Sequence, residues 1–174
     1  MDTDRKTSAV EAVNQKKREK YLITDIILLV NYFLSVVTLQ RLLFLLSFIT
    51  YGIGDSITAV YMMEKRGVMY ETNPLVRFVY ISSGGQGVVA MKVFYASIIL
   101  FFAWLISRRK NTHWKVNGFL FALIIGSIMV MQANLKTAND TIPQSTASIM
   151  FTFLSMEALF VMMGYLIDKP DFAS

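Results

Sequence analysis

The sequence has no cysteine, one histidine and three prolines among its 174 residues. Without cysteine there are no disulfides and no thiol chemistry, and the redox compartment cannot be read. A lone histidine, His113, cannot build a zinc centre, which takes three or four protein ligands; beside Trp114 in a basic loop it reads as an interfacial residue. Charge is also scarce: 17% of residues are Asp, Glu, Lys or Arg, against about 25% in ordinary soluble domains. No phosphate-binding glycine loop, dinucleotide fingerprint, nucleophile elbow or His-containing protease motif is present. No internal repeat or low-complexity segment is seen, and no cleavable signal peptide is evident, because the first apolar run begins only at Tyr21 after a charged tail. No metal, no cofactor and no catalytic residue is expected.

What the chain has is apolar surface. Hydrophobic residues make up 55% of it, with a mean hydropathy of +0.49, and they fall in runs long enough to cross a bilayer. The expected class is an all-α integral membrane helical bundle, with the lipid bilayer as its first partner. The net charge of +5 sits in tails and loops, where it reports topology and not nucleic-acid binding. The 11 Met and 13 Phe residues read as bundle packing and lipid contact.

Residues 1–20 form a charged tail ending in Gln15-Lys-Lys-Arg-Glu-Lys20, a cytoplasmic anchor against anionic lipid. Residues 21–40 are apolar but interrupted: Thr24, Asn31, Ser35 and Thr38 share one helical face. This segment is an amphipathic helix lying at the interface or, alternatively, a fifth span that reverses within Gln40-Arg41. Two residues are few for such a turn. The bundle proper covers 41–167, with spans expected at about 42–63, 88–106, 116–134 and 145–167, followed by a short tail, 168–174. Between the first two spans, Glu64-Lys-Arg-Gly67 is a charged stop, and Asn73-Pro74 is a helix start with Asn as cap and Pro in the first helical position. That short helix should break at Ser82-Ser-Gly-Gly-Gln-Gly87.

Positive charge favours the cytoplasm. Four spans place twelve Lys and Arg inside and four outside, whereas five spans give ten and six. Both leave Lys92 within the membrane. The four-span arrangement is preferred: a multi-pass protein of the cell membrane with both termini cytoplasmic. Its parity has a consequence for the polar residues. Asp55 then lies roughly 12 Å inside the outer end of its span and Lys92 roughly 7 Å. Asn134 stands at the outer end of the third span, and Glu71 and Asn73 belong to the outer loop. Tyr51, Asp55 and Thr58 are spaced i, i+4, i+7, so one face carries phenol, carboxylate and hydroxyl. Gly52 and Gly54 allow close helix approach. Ser148, Thr152 and Ser155 form a similar hydroxyl stripe on the fourth span.

Gly54-Asp55-x-x-Thr58, then Glu71-x-Asn73-Pro74, then a Gly-rich break and Lys92 in an apolar helix form an ordered set of motifs. The set resembles a family of small archaeal and bacterial multi-span membrane proteins catalogued as a domain of unknown function. The archaeal members, with a Tyr-Gly-x-Gly-Asp-x-x-Thr run, are the most similar. In that family an Asn recurs near the end of the following span, and Asn134 matches it here. The resemblance covers about Leu42 to Asn134 and leaves out the tail, residues 21–39, Glu157 and the fourth span. It implies positions and no activity.

The candidate polar cluster is therefore Asp55, Thr58, Glu71, Asn73, Lys92 and Asn134. A charge in the membrane core is costly, so it needs a partner or a purpose. Lys92 is the only basic residue inside a span and Asp55 its obvious counter-charge. Three functions stay open: a structural or assembly role, in which the pair only fixes helix packing; small-ligand or ion handling through an outward-opening pocket, with a homo-oligomer expected because four spans are few for a transporter; and a membrane enzyme acting on lipid or isoprenoid substrates, with Asp55 and Glu71 as paired carboxylates. Lys92 argues against a hard cation. Glu157, mid-span, reads as a hydrogen-bonded structural group or a separate proton site. Asn139-Asp-Thr141 is a glycosylation sequon in a loop placed outside.

Overall fold

A computed structural model describes residues 38–142 and 145–169. The charged tail, almost all of the segment 21–40, Pro143 and the last residues lie outside it, so the interfacial helix is not among the described elements. Every regular element described is helical. Four helices are long and apolar enough to cross a membrane: Leu39–Arg66, Pro74–Ser107, His113–Ala138 and Thr146–Ile167.

The first of these has three parts: α1 (Leu39–Ser47), a π-helical segment (Phe48–Gly54) and α2 (Asp55–Arg66). Gln40 and Arg41 are helical, and the Thr38 hydroxyl accepts the Arg41 amide at 3.4 Å in the manner of an N-cap. The tight turn that five spans need is thus absent at Gln40-Arg41. Helix α2 ends at Gly67, whose φ of 98° suits a residue without Cβ. A short 3₁₀ turn, Val68–Tyr70, leads to α3 (Pro74–Ser107). Asn73 caps α3 as its sequence demands: its side-chain oxygen accepts the Leu75 amide at 3.0 Å, and Pro74 follows as a residue with no amide to lose.

The break expected over Ser82 to Gly87 is narrower than the glycine count suggests. Helix runs on both sides, and only Gly84 leaves it, at φ 66° and ψ −168°. That conformation is essentially reserved for glycine. An added Cβ at Gly84 would meet nothing, so the residue is there for its backbone and not for space. The second span is therefore the later part of a kinked 34-residue helix that starts at Pro74, and not at Val88. Helix α4 (His113–Ala138) and α5 (Thr146–Ile167) complete the bundle.

In lipid there is no hydrophobic force between helices, so close packing and polar contacts must hold them. The tightest pairing is α4 with α5. A Cβ on Gly118 would collide with the Phe160 carbonyl, and one on Gly164 with the Trp114 carbonyl. Backbone meets backbone on two successive turns of this crossing. The pairing is locked by Asp168, just past α5, whose carboxylate accepts the Trp114 and Lys115 amides at 3.2 and 3.0 Å. These are free donors of the first turn of α4, where negative charge is favoured.

Apolar packing falls into two layers. One joins Leu43, Leu100, Ala103, Val116, Leu120 and Leu123. The other joins Ala59, Met62, Met63, Val76, Val88 and Ala138. On each of the first three spans the polar residues Asp55, Lys92 and Asn134 fall in sequence between the two layers.

Candidate functional site

Asp55 is the first residue after the π segment, and its amide donates to Thr50 O, five residues back. Single π turns are rare and recur at functional sites, because they rotate the following side chains out of α-helical phase. The two glycines make the segment compatible with tight neighbours. A Cβ on Gly52 would stand 3.1 Å from the Ala96 Cβ of α3, and one on Gly54 2.9 Å from the Met131 side chain of α4. The span thus touches α3 and α4 at the level where it presents its carboxylate.

Three helices supply this network. Lys92 Nζ of α3 lies 2.8 Å from Asp55 Oδ2. Asn134 Nδ2 of α4 donates to Asp55 Oδ1 at 3.3 Å and also reaches Thr58 Oγ1 at 3.2 Å. The Thr58 hydroxyl donates in turn to the Gly54 carbonyl at 3.0 Å. Both carboxylate oxygens are therefore engaged, and the side chains of the ion pair, Lys92 and Asp55, are 16% and 13% exposed. Glu71 stands apart from this network. Its Oε1 accepts the Asn73 amide at 2.8 Å, which stiffens the turn ahead of α3, and the residue is buried. The two carboxylates that sequence reasoning paired as acid and base are each bound to a different partner.

Asp55, Lys92, Asn134, Glu71 and Asn73 all line one cavity of about 1010 Å³. Thr58 does not line it and reaches it only through Asn134. The cavity is at the upper end of the range for small-molecule sites. Its walls are largely apolar, with Val76, Met91 and Ile99 from α3 and Ile149 and Met150 from α5. Helix α5 packs on α4, while α3 and α5 share no substantial contact, so the cavity occupies the gap between them. The exposed Tyr95 and Met150 stand on its two sides.

At the loop end a second ion pair joins Arg66 to Asp140, and the Arg66 guanidinium lies 4.8 Å over the Tyr70 ring. Lys65 Nζ donates to Asn139 Oδ1 at 3.0 Å beside it. Sequence reasoning missed Arg66, Tyr70, Tyr95 and Asp140 as cavity residues. Tyr95 could have been found, since it stands one turn from Lys92. Nothing in sequence pairs Arg66 with Asp140 across the two intervening spans. Other expectations fall outside the cavity. Ser148, Thr152 and Ser155 do not line it, and the Thr152 hydroxyl donates to its own helix at the Ser148 carbonyl. Glu157 lies in a separate shallow groove with Leu154 and Val161. His113 is exposed and packs edge-on against Trp114. Among the described residues no group of three His, Cys, Asp or Glu side chains could hold a metal.

Among the described residues, four helical spans, two of them joined by an ion pair to which a third adds an amide, define the class, a helical transmembrane protein. Residues 46–135, just over half of the chain, match the family described as a domain of unknown function (DUF5658), and the chain belongs to that family. It is also similar to the "Putative transmembrane protein ORF13" of a virus (isolate Australia/Victoria). The two are 26% identical over 82 residues, which is 47% of this chain and 78% of the viral protein. No solved structure matches.

Proposed function

We propose that this protein binds a small amphiphilic ligand in its intramembrane cavity, with the Asp55–Lys92–Asn134 network as the polar end of the site. The observation that carries this reading is that the ion pair borders a cavity of about 1010 Å³ and is not enclosed by packed side chains. A pair serving only to fix register needs no cavity beside it. Apolar walls and the gap between α3 and α5 suit a ligand that arrives from the bilayer. Native mass spectrometry of the detergent-purified protein tests this. Wild type is expected to carry a bound lipid or small amphiphile that Ala133→Trp, which fills the cavity and spares the ion pair, no longer carries. Equal adducts on both proteins would sink the reading.

A second reading rests on a different observation. Asp55 has both oxygens engaged and joins three helices, which is sufficient for a structural role in bundle assembly. The enzyme reading gains least, because Asp55 and Glu71 do not share a partner.

We also infer that the loop Arg108–Lys115 faces the cytoplasm and the cavity end of the bundle faces outward. Arg108, Arg109, Lys110 and Lys115 share their end of the bundle with Lys169, since α4 begins and α5 finishes there. In the cysteine-free background, Arg109→Cys should resist an impermeant thiol reagent added to intact cells, and Lys136→Cys should react. The reverse pattern would invert the topology.

A further inference from the structure

Five charged residues line the cavity: Asp55, Arg66, Glu71, Lys92 and Asp140. Four of them cancel in two ion pairs, Asp55 with Lys92 and Arg66 with Asp140. Glu71 is left. It is 8% exposed, and among the described residues its bond comes from a neutral donor, the Asn73 amide, to one oxygen only. The cavity therefore carries one buried negative charge with no ion-pair partner among the described residues. Buried charge of this kind demands an opposite charge. Both cations of the cavity are already committed, and Arg77, one turn into α3, is not among the lining residues.

A second observation points the same way. Three tyrosines, Tyr51, Tyr70 and Tyr95, line the same cavity from three different elements. Aromatic faces attract ammonium groups; among the described residues no cation lies over Tyr51 or Tyr95, whereas Arg66 already covers the ring of Tyr70. A hard metal ion is the wrong complement, since Lys92 shares the space and one carboxylate with neutral donors is a poor hard-ion cage.

We infer that the ligand is an organic monocation: an ammonium group carried on an apolar body, with Glu71 as its counter-charge and Tyr51 and Tyr95 along the wall of its cavity. This inference rests on the cavity being a ligand site and names the ligand's charge. The sign of the charge is the testable part. Benzyltrimethylammonium and phenylmethanesulfonate have similar bulk and opposite charge, and both dissolve in water. Equilibrium dialysis against the full-length protein in detergent measures each, with Ala133→Trp subtracted to remove uptake by the micelle. The cation should bind saturably and at least about tenfold more tightly than the anion. Glu71→Gln, which keeps an oxygen for the Asn73 amide, should bring that ratio close to one. Equal or preferred binding of the anion, or a ratio unmoved by Glu71→Gln, overturns the inference. If the cation fails while the adducts of wild type still vanish in Ala133→Trp, the cavity remains a ligand site and only its charge assignment falls. If the adducts also persist in Ala133→Trp, both fall together.

Discussion

Replacing Lys92 by Met should destabilise the bundle by about 3–5 kcal/mol, the cost of leaving one member of a buried ion pair without its partner. The Asp55 carboxylate would keep Asn134 at 3.3 Å and lose the ammonium at 2.8 Å. The helix that carries it is held in place by Gly52 against Ala96 and by Gly54 against Met131, so the backbone keeps the carboxylate at this level of the bundle. Asp55→Asn should be milder, since the remaining ammonium sits on a flexible stem that can move its head along the cavity. The double variant Asp55→Leu with Lys92→Met should regain most of the loss, because apolar replacement of a whole buried pair is often neutral. Reversible unfolding in bicelles reads all three. A Lys92→Met protein as stable as wild type would show that the pair contributes nothing to the fold. The exchanged pair, Asp55→Lys with Lys92→Asp, separates roles. Stability returning while ligand adducts stay absent assigns the residues to the site, and both returning together assigns them to the bundle.

Gly118→Ala is the second large effect expected, although it adds a single methyl group. The methyl would enter the space of the Phe160 carbonyl, which is backbone and cannot rotate aside. Helices α4 and α5 would have to separate, and overpacking of this kind costs typically about 1–3 kcal/mol. Gly164→Ala forces the same separation one turn away, against the Trp114 carbonyl. One outward shift of α5 relieves both, so the double variant should lose less than the sum of the singles. The shift would also draw Asp168 from the Trp114 and Lys115 amides. A disulfide-crosslinking or unfolding measurement that found Gly118→Ala unchanged would mean that α4 and α5 are not in backbone contact.

Much of the candidate site was legible because it depends on position along the helix axis. Run lengths mark the spans, charge asymmetry orients them, and parity then puts Asp55, Lys92 and Asn134 in the same half of the bilayer. The contacts of Asn134 with both Asp55 and Thr58 follow the i, i+3 spacing of those two residues. The Asn73 cap was legible for another reason: it is a local bond between residues two apart. The second ion pair of the cavity was not legible. Arg66 and Asp140 each lie at a helix end beside a loop, and loop charges carry no mark of their partners.

Hydropathy and run length are sums over consecutive residues, so they were enough to mark a helical membrane protein, the four spans of its described residues, and a carboxylate and an ammonium within them. How those helices are turned about their axes is a property of their packing, and the linear chain does not carry it. The π segment Phe48–Gly54 shifts the phase of the first span just before Asp55, and one residue, Gly84, bends the second. The gap between α3 and α5, the cavity in it and the isolation of Glu71 all depend on that rotation. Residue spacing encodes a helical face only while every turn is α-helical, and here the turn before Asp55 is not.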